Sequence, residues 1–466
     1  MDINENAGRL KPGLGFKVFR SYVGFFHDVV YCKKTYGINL ENIPANGTPL
    51  MIVSNHQNCL NDPLGILFVL GKRKANFLAR ADVFELPAAD KFMRFIGLLP
   101  AFRLNYEGED ALGNNNETFD AAGRELMRGR TVVIYPEAGH QDKRWLGEFS
   151  LGYLKLAFEA AGKENFQHDV LILPSCNHYS NYFSMQEELL TKFGTPISLA
   201  PYYELYKEKP RTAQREVNKL VRDQIDSLML NITDLENYDA LDYLRGTYGK
   251  KYAEKKGFKP DFLSEKLLSD KAFVSDMAVL KERDESKIKD LFQKVLKLKE
   301  ATLNLKIRDW NFDKKFSMFS ILKRGLLYLL LFPLFLFSLI PNILIFLAPE
   351  LINKKMVTDK MFYGTIRFAV SVLFTIPIFY SLFFALCWII TGTFWIALIY
   401  LLTLPFIGLF AWYYRKTFIK WRSEIRFHKL LKSGKLRELI ELRKEIFSFL
   451  DMKLKSVDVN IHQESA

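Results

Sequence analysis

The chain has 466 residues, of which 49% are hydrophobic and 25% charged, enough for one large domain with additions or for two or three smaller ones. Its formal net charge of +13 suits a nucleic acid, an anionic membrane surface or an anionic substrate. The four cysteines are far apart and form no disulfide framework or metal-ligand spacing, so the sequence predicts no metal site and excludes the small disulfide-rich class of secreted proteins.

The first 205 residues alternate short apolar runs with helical patterns. This alternation predicts an α/β domain over 1–205 with a mainly parallel sheet. The first residues lack the basic-then-apolar pattern of a signal peptide, so this part is expected to face the cytosol. The predicted strands are 50–54, 75–80, 131–136 and 169–175, and the predicted helices lie around 63–71, 88–96, 117–128 and 151–161.

The next region, 206–320, is rich in Lys, Glu and Asp and poor in Gly and Pro. Apolar residues such as Ile288, Leu291 and Val295 recur at helical spacing on a charged background. The region is therefore predicted to form amphipathic helices that pack on the α/β domain or lie along a membrane surface.

Two uncharged stretches predict a membrane segment over 321–414. A spanning helix needs about 20 apolar residues, and the stretch from Phe368 to Tyr414 is long enough for two. We expect a transmembrane hairpin of 368–390 and 393–414, whereas 325–349 is either re-entrant or spanning. Basic clusters lie before residue 325, between 349 and 368, and after 414, which favours the cytoplasmic side for each of them and for a basic helical tail over 415–466, whereas the turn of the hairpin is uncharged and is expected on the far side. These clusters account for much of the positive charge, and no nucleic-acid partner is expected.

Polar residues follow the predicted strands at the positions where ligands bind in parallel α/β sheets. Strand 50–54 runs into "NHQNCLND", which contains Asn55, His56 and Asp62. Gly97, Pro100 and Arg103 follow a predicted helix, and strand 131–136 leads into "PEAGHQDKR". The last predicted strand, 169–175, is expected to close with Pro174.

Together these segments resemble the glycerolipid acyltransferase family, which includes glycerol-3-phosphate and 1-acylglycerol-3-phosphate acyltransferases. The family pattern is Asn-His-x4-Asp, then Gly-x-x-Pro-x-x-Arg, then Pro-Glu-Gly-Thr-Arg, then an apolar strand ending in Pro. The resemblance covers roughly residues 20 to 205. Its counterparts in this chain are Asn55, His56 and Asp62; Gly97, Pro100 and Arg103; Pro136, Glu137, Gly139 and His140; and Pro174.

Two departures from the family pattern stand out. Five residues separate His56 from Asp62 instead of four, a spacing similar to that of family branches with the form Asn-His-x-Asn-x3-Asp. With this spacing, Asn58 or Asn61 is an alternative partner for the imidazole. In the third motif His140 replaces the Arg, and Lys143 and Arg144 are candidates to supply the lost positive charge.

The resemblance implies a chemistry for these residues. His56 is expected to act as the general base that activates a hydroxyl group, with Asp62 fixing its tautomer. Cys59 is not required as a nucleophile, because the acceptor supplies the attacking oxygen. The residues expected to bind the substrate and its phosphate are Asn55, Asn58, Gly97, Arg103, Glu137, Gly139, His140, Lys143 and Arg144.

The expected activity is transfer of a fatty acyl group from acyl-CoA or acyl carrier protein to 1-acylglycerol-3-phosphate (lysophosphatidic acid), giving phosphatidic acid, with no cofactor. Glycerol-3-phosphate and an aminolipid hydroxyl are alternative acceptors. A lipid-binding scaffold with a decayed acyltransferase domain is an alternative of another class. The phospholipid bilayer is the expected partner, in an inner or cytoplasmic membrane with the active site facing the cytosol.

Overall fold

A computed structural model describes residues 13–71, 73–80, 84–101, 110–137, 143–315, 317–359 and 361–464. The chain divides into two compact units. The first runs to Asn231 and includes Ala348–Phe374, and the second comprises Ile232–Leu347 and the chain from Thr375 onward.

The first unit is built on an eight-stranded sheet with the order β1-β7-β6-β2-β5-β3-β4, and β8 pairs with β6. Five strand pairs are parallel, and β6 pairs antiparallel with β7 and β8. The sheet is therefore mainly parallel, and the predicted α/β class is confirmed. The strands are β1 Cys32–Ile38, β2 Leu50–Ser54, β3 Ala75–Arg80, β4 Leu98–Ala101, β5 Thr131–Ile134, β6 Leu171–Tyr179, β7 Glu187–Phe193 and β8 Ile197–Ser198.

Strand β2 lies at the centre of the sheet and is buried on both faces. Met51 and Val53 belong to one hydrophobic cluster, whereas Leu50 and Ile52 belong to another. Burial on both faces explains why this strand reads as a continuous apolar run. Because β2, β3, β4 and β5 are parallel, their carboxyl ends share one edge of the sheet.

The helices of the first unit cover the sheet and extend beyond the predicted limit of 205. The last of them, α7 Pro210–Leu228, buries Val217, Val221 and Ile225 in the same cluster as Met51. The first of the two segments that make up this unit therefore runs to Asn231. Its helices are α1 Leu14–Phe25, α2 Asn61–Val69, α3 Pro87–Phe95, α4 Asp110–Met127, α5 Gly152–Lys163, α6 Tyr203–Glu208 and α7, with a π-helical turn at Phe26–Tyr31.

Strand β6 differs from its predicted end at Pro174. It pairs parallel with β2 through Ser175, then continues to Tyr179 antiparallel to β7. Proline lacks the N–H that a strand interior normally donates, and Pro174 lies where the strand changes neighbours; its carbonyl accepts from the Gly194 N–H at 2.8 Å. The prediction that Pro174 ends the strand is therefore wrong.

The second unit and the segment that leads back to the first are helical. In the second unit, the buried residues Ile288, Leu291 and Val295 share one face of α11, as their spacing predicts. The helices are α8 Tyr238–Thr247, α9 Gly249–Lys255, α10 Leu263–Arg283, α11 Glu285–Asn304, α12 Met318–Leu339, α13 Ile343–Met356, α14 Phe362–Ala369, α15 Ile376–Thr391, α16 Phe394–Lys432 and α17 Arg437–Glu464.

Among the residues that the structure describes, three helical stretches are long and apolar enough to cross a membrane: Met318–Met356, Phe362–Thr391 and Phe394–Lys432. In the first, a short 3-10 turn at Ile340–Asn342 separates α12 from α13. The Asn342 amide donates to the Ser338 carbonyl at 3.0 Å and accepts from the Tyr380 hydroxyl at 2.8 Å. The path of 325–349, re-entrant or spanning, stays a prediction, as does the cytoplasmic placement of the basic clusters.

Candidate active site

The segment from Asn55 to Asp62 leaves the carboxyl end of β2 and turns into α2. Asp62 lies in the first turn of α2, where a carboxylate interacts favourably with the helix dipole. The turn between the end of β2 and the start of α2 includes Cys59, whose backbone has a φ of +36°. We call residues 55–62 the catalytic loop, after the role that the family resemblance implies for His56 and Asp62.

His56 and Asp62 form a hydrogen-bonded pair within this loop. The Nδ1 atom of His56 lies 3.0 Å from Oδ2 of Asp62. The Asp62 side chain is fully buried, whereas that of His56 keeps 18% of its surface exposed. Asp62 is the partner despite the longer spacing, and a carboxylate at Nδ1 favours the tautomer whose basic nitrogen is Nε2.

Asp62 is held by three further donors. Its Oδ2 accepts from the backbone N–H groups of Gln57 and Asn58, each at 2.8 Å. Its Oδ1 accepts from the hydroxyl of Tyr179 at 2.8 Å. Hydrogen bonds of this kind fix the position of a carboxyl group. The carboxylate therefore organises the loop as well as the imidazole.

Glu137 fixes the backbone of His56. Its Oε1 accepts from the His56 N–H at 2.7 Å and its Oε2 from the Gly147 N–H at 2.9 Å. Burial raises the pKa of Glu137 to about 7, although the two N–H groups and His56 act in the opposite direction. Both carboxyl oxygens are thus engaged with protein backbone, which fits a positioning role better than the predicted contact with substrate phosphate.

Two tyrosines complete the surroundings of the pair, and the sequence reasoning missed both. The ring of Tyr135 stacks on His56, with centroids 4.3 Å apart and an interplanar angle of 23°. Tyr179 reaches Asp62 from the end of β6. Tyr135 directly precedes the third motif, so its position in the sequence could have indicated a place near the site. The residues around Tyr179 give no such indication, because its partner Asp62 lies 117 positions away.

Gln57 links the catalytic loop to Lys143 and Arg144. Its side-chain amide donates to the carbonyl of Lys143 at 3.1 Å and accepts from the hydroxyl of Tyr182. The guanidinium of Arg144 lies 4.8 Å from the Tyr182 ring centroid and donates to the Tyr179 carbonyl at 3.5 Å. The structure therefore brings both predicted cationic residues to the loop that carries His56.

Asn55 and Asn58 are buried and bonded within the protein. The side chain of Asn55 exchanges two hydrogen bonds with the backbone of Asn177, at 2.8 and 3.2 Å. The side chain of Asn58 donates to the Tyr182 carbonyl at 3.2 Å and accepts from the Asn61 amide at 3.0 Å. These contacts fit loop positioning and differ from the predicted contact with substrate.

Gly97 lies apart from the catalytic loop. It precedes the amino end of β4, whereas His56 follows the carboxyl end of β2 in the same parallel region of the sheet. Its φ is +91°, and a Cβ atom there would meet the Ala75 carbonyl at 2.8 Å. The backbone conformation and the lack of space for a Cβ atom thus account for a glycine at position 97 without a contact to substrate. Arg103, Gly139 and His140 lie outside the described residues.

The environments of Cys32 and Cys59 favour a structural role over that of a catalytic nucleophile. Cys59 is buried in the catalytic loop. Cys32 lies 3.8 Å from His27, whose other ring nitrogen is 2.8 Å from Asp28, but burial raises the pKa of the Cys32 thiol. A nucleophilic cysteine needs a lowered pKa. Over the ranges that the structure describes, no group of three or more His, Cys, Asp or Glu side chains is arranged to hold a metal ion.

Comparison with known proteins gives a consistent result. Residues 36–178 match the Acyltransferase family. The chain is 32% identical over 132 residues to the chloroplastic 1-acyl-sn-glycerol-3-phosphate acyltransferase LPAT1 of Arabidopsis thaliana, covering 28% of this chain and 33% of that protein. It is 28% identical over 129 residues to glycerol-3-phosphate O-acyltransferase 2 of Saccharomyces cerevisiae, covering 28% of this chain and 17% of that protein.

The chain spans about a third or less of the length of these relatives. A solved structure, the 1-acyl-sn-glycerophosphate (LPA) acyltransferase PlsC of Thermotoga maritima, is similar with a TM-score of 0.31 at 16% identity, covering 45% of this chain and 78% of that one. Residues 36–178 are therefore similar to the Acyltransferase family, and the two sequence relatives that share this region are named as glycerolipid acyltransferases.

Proposed function

We propose that this chain is a membrane-bound O-acyltransferase that moves a fatty acyl group from a thioester donor to the hydroxyl of 1-acylglycerol-3-phosphate, giving phosphatidic acid. The observation that carries the proposal is the His56–Asp62 pair at 3.0 Å, at the carboxyl edge of a parallel sheet. The chloroplastic relative is named for this activity.

In the proposed step His56 acts as a general base. Nε2 takes the proton of the acceptor hydroxyl as its oxygen forms the ester bond at the thioester carbonyl carbon. The carbon–sulfur bond then breaks, and the leaving thiolate takes the proton from the imidazolium. Asp62 stabilises the imidazolium and keeps the ring in position, so no covalent acyl-enzyme is needed.

The hydrogen bonds that hold His56 and Asp62 in place favour a catalytic function over a lipid-binding scaffold with a decayed acyltransferase domain. Asp62 carries four donors, and Glu137 holds the backbone of His56 through one of its two hydrogen bonds. A general base needs this degree of pre-organisation, because small displacements cost large factors in rate. A scaffold that only bound lipid would have no use for a buried carboxylate aimed at a partly exposed imidazole.

The acceptor is proposed to be anionic. The backbone carbonyl of Lys143 accepts from Gln57, and the guanidinium of Arg144 donates to the Tyr182 hydroxyl, so both cationic residues lie close to the catalytic loop in the chain that follows the third motif. Their positive charges are the basis for proposing a phosphate-bearing acceptor. Glycerol-3-phosphate is the second candidate, and the yeast relative named for that substrate favours it. Acyl-CoA and acyl carrier protein are both candidate donors, and no cofactor is proposed.

The membrane helices fit this chemistry. Long acyl chains and lysophospholipids partition into a bilayer, and a chain with three helices long enough to cross one meets them at the interface. We propose a cytoplasmic membrane with the active site on the cytosolic side.

The test is an acyl-transfer assay on membranes that contain the wild type, His56→Ala or His168→Ala. Labelled acyl-CoA and acyl carrier protein are each offered with 1-acylglycerol-3-phosphate, glycerol-3-phosphate and an aminolipid. His168 is exposed and serves as the matched control. We expect product with 1-acylglycerol-3-phosphate from the wild type and the control but not from His56→Ala. Product with another acceptor alone would correct the substrate, and no product with any pair would reject the function.

A further inference from the structure

Helix α14 lies against the catalytic loop, although it begins the second stretch that is long enough to cross a membrane. The hydroxyl of Thr365 accepts from the backbone N–H of Leu60 at 2.9 Å. Leu60 directly follows Cys59, the residue with a φ of +36°. Thr365 therefore satisfies a backbone donor where the loop is most constrained.

A second contact is made by the neighbouring glycine of α14. The Tyr31 hydroxyl donates to the Gly364 carbonyl at 3.3 Å. A Cβ atom at Gly364 would lie 2.9 Å from the side chains of both Asn58 and Asn61. The backbone of α14 thus approaches the catalytic loop as closely as the absence of a side chain allows.

The remaining contacts anchor α14 at this position. Phe368 is 2% exposed, and its ring packs edge-to-face against Tyr31 at 5.3 Å. Arg367 donates to the carbonyl of Phe183 at 2.6 Å and to Glu350 at 2.9 Å. Phe183 follows Tyr182, which bonds to Gln57 in the catalytic loop. Helix α14 therefore contacts both the catalytic loop and the segment whose Tyr182 bonds to that loop.

We propose that α14 positions the catalytic loop, with Thr365 as a positioning residue for the His56–Asp62 pair. The inference rests on the proposed function, because it assigns the effect of Thr365 to acyl transfer. The longer His–Asp spacing supplies the physical reason. The longer loop places Leu60 in a turn whose partly buried N–H needs an acceptor, and a donor shielded from water costs free energy when it is left unpaired. The acceptor comes from a helix that enters the membrane segment, so loop geometry depends on that segment being in place.

The experiment compares two variants of Thr365. Thr365→Val keeps the shape of the side chain but removes the hydroxyl that accepts from Leu60, whereas Thr365→Ser keeps that hydroxyl. Thr358→Val is the matched control, because Thr358 is exposed in the same segment. Gly364→Ala is a second perturbation, whose added methyl group would press on the side chains of Asn58, Asn61 and Tyr31 while the Thr365 hydroxyl is kept. All are made in the full-length protein in membranes or detergent.

Two readouts are taken from each variant. The first is kcat and KM for the acceptor. We expect Thr365→Val and Gly364→Ala to lower kcat about 10- to 100-fold with little change in KM, since misplacement of reacting groups acts on the chemical step. Thr365→Ser should recover most of the rate, and Thr358→Val should match the wild type. The second readout is hydrogen exchange of the peptide that contains Leu60, which should be up to about tenfold faster in Thr365→Val.

The outcomes separate this proposal from the proposed function. A wild-type rate in Thr365→Val, or equal loss in Thr365→Ser, would overturn the positioning role. If the wild type transfers no acyl group to any acceptor, the proposed function fails, and the exchange experiment still decides whether Thr365 holds the loop. Unchanged exchange in Thr365→Val would then overturn the inference.

Discussion

Replacement of Glu137 by Gln tests the balance between burial and hydrogen bonding beside the catalytic pair. Burial raises the pKa of Glu137 from an ordinary value of 4.5 to about 7. Between these two pH values the folded chain holds a proton that the unfolded chain releases. The contribution of this group to stability is therefore fully present below pH 4.5 and is lost as the pH rises towards 7.

The size of the effect follows from the pKa difference. At about 1.4 kcal/mol per pH unit, the free energy of unfolding of the wild type should fall by about 3 kcal/mol across this window relative to Glu137→Gln, which does not titrate. The side chain is only 6% exposed, so screening by solvent reduces this figure little. The glutamine also turns one donor towards the N–H of His56 or Gly147, so it should be less stable than the wild type at pH 4.5, by an amount that shrinks as the pH rises towards 7.

The assay is unfolding in detergent between pH 4 and pH 8, for the wild type, Glu137→Gln and Glu148→Gln. Glu148 lies in the same segment with 89% of its side chain exposed and is the control. A difference between wild type and Glu137→Gln that does not change with pH would refute the raised pKa. A difference that grows with pH would show that the two N–H bonds outweigh burial.

Three further substitutions test the assignment of roles. Gly97→Ala should destabilise the fold by about 1–3 kcal/mol because of its positive φ and the close Ala75 carbonyl, without raising KM for the acceptor; a raised KM in a stable variant would return Gly97 to the substrate site. Cys59→Ala should keep its transferase activity, and loss of activity in a folded variant would indicate a nucleophilic thiol. Tyr179→Phe removes a hydrogen bond to Asp62 and should lower stability by about 1.5–3 kcal/mol, as measured by thermal unfolding; an unchanged melting temperature would contradict the role given to this bond.

The central strands were predictable because their side chains are buried on both faces. The predicted strands 50–54 and 75–80 agree with β2 and β3 residue by residue. Four strands, β1, β4, β7 and β8, were not predicted. Strand β1 carries Lys33 and Lys34 at the edge of the sheet, β7 mixes charged with apolar residues, and β4 and β8 have only four and two residues. The placement of β1 and β7 depends on pairing with each other and with β6, which no local pattern records.

The catalytic pair was predictable from the ordered motifs, but the residues that hold it were not. His56, Asp62 and Glu137 lie in short segments with recognisable spacing. Tyr179 and Thr365 act on the same loop from 117 and 305 positions along the chain. A single hydroxyl group at such a distance leaves no trace in periodicity or composition, because only the folded backbone brings it into contact.

The most direct test of the central claim is the rate of acyl transfer by His56→Ala relative to the wild type and His168→Ala, with thermal unfolding measured on the same samples. If the imidazole is the general base, His56→Ala should lose about 10²–10⁴-fold in kcat while its melting temperature stays close to that of the control. A folded His56→Ala protein that transfers acyl groups at the wild-type rate would contradict the assignment of His56 as the base.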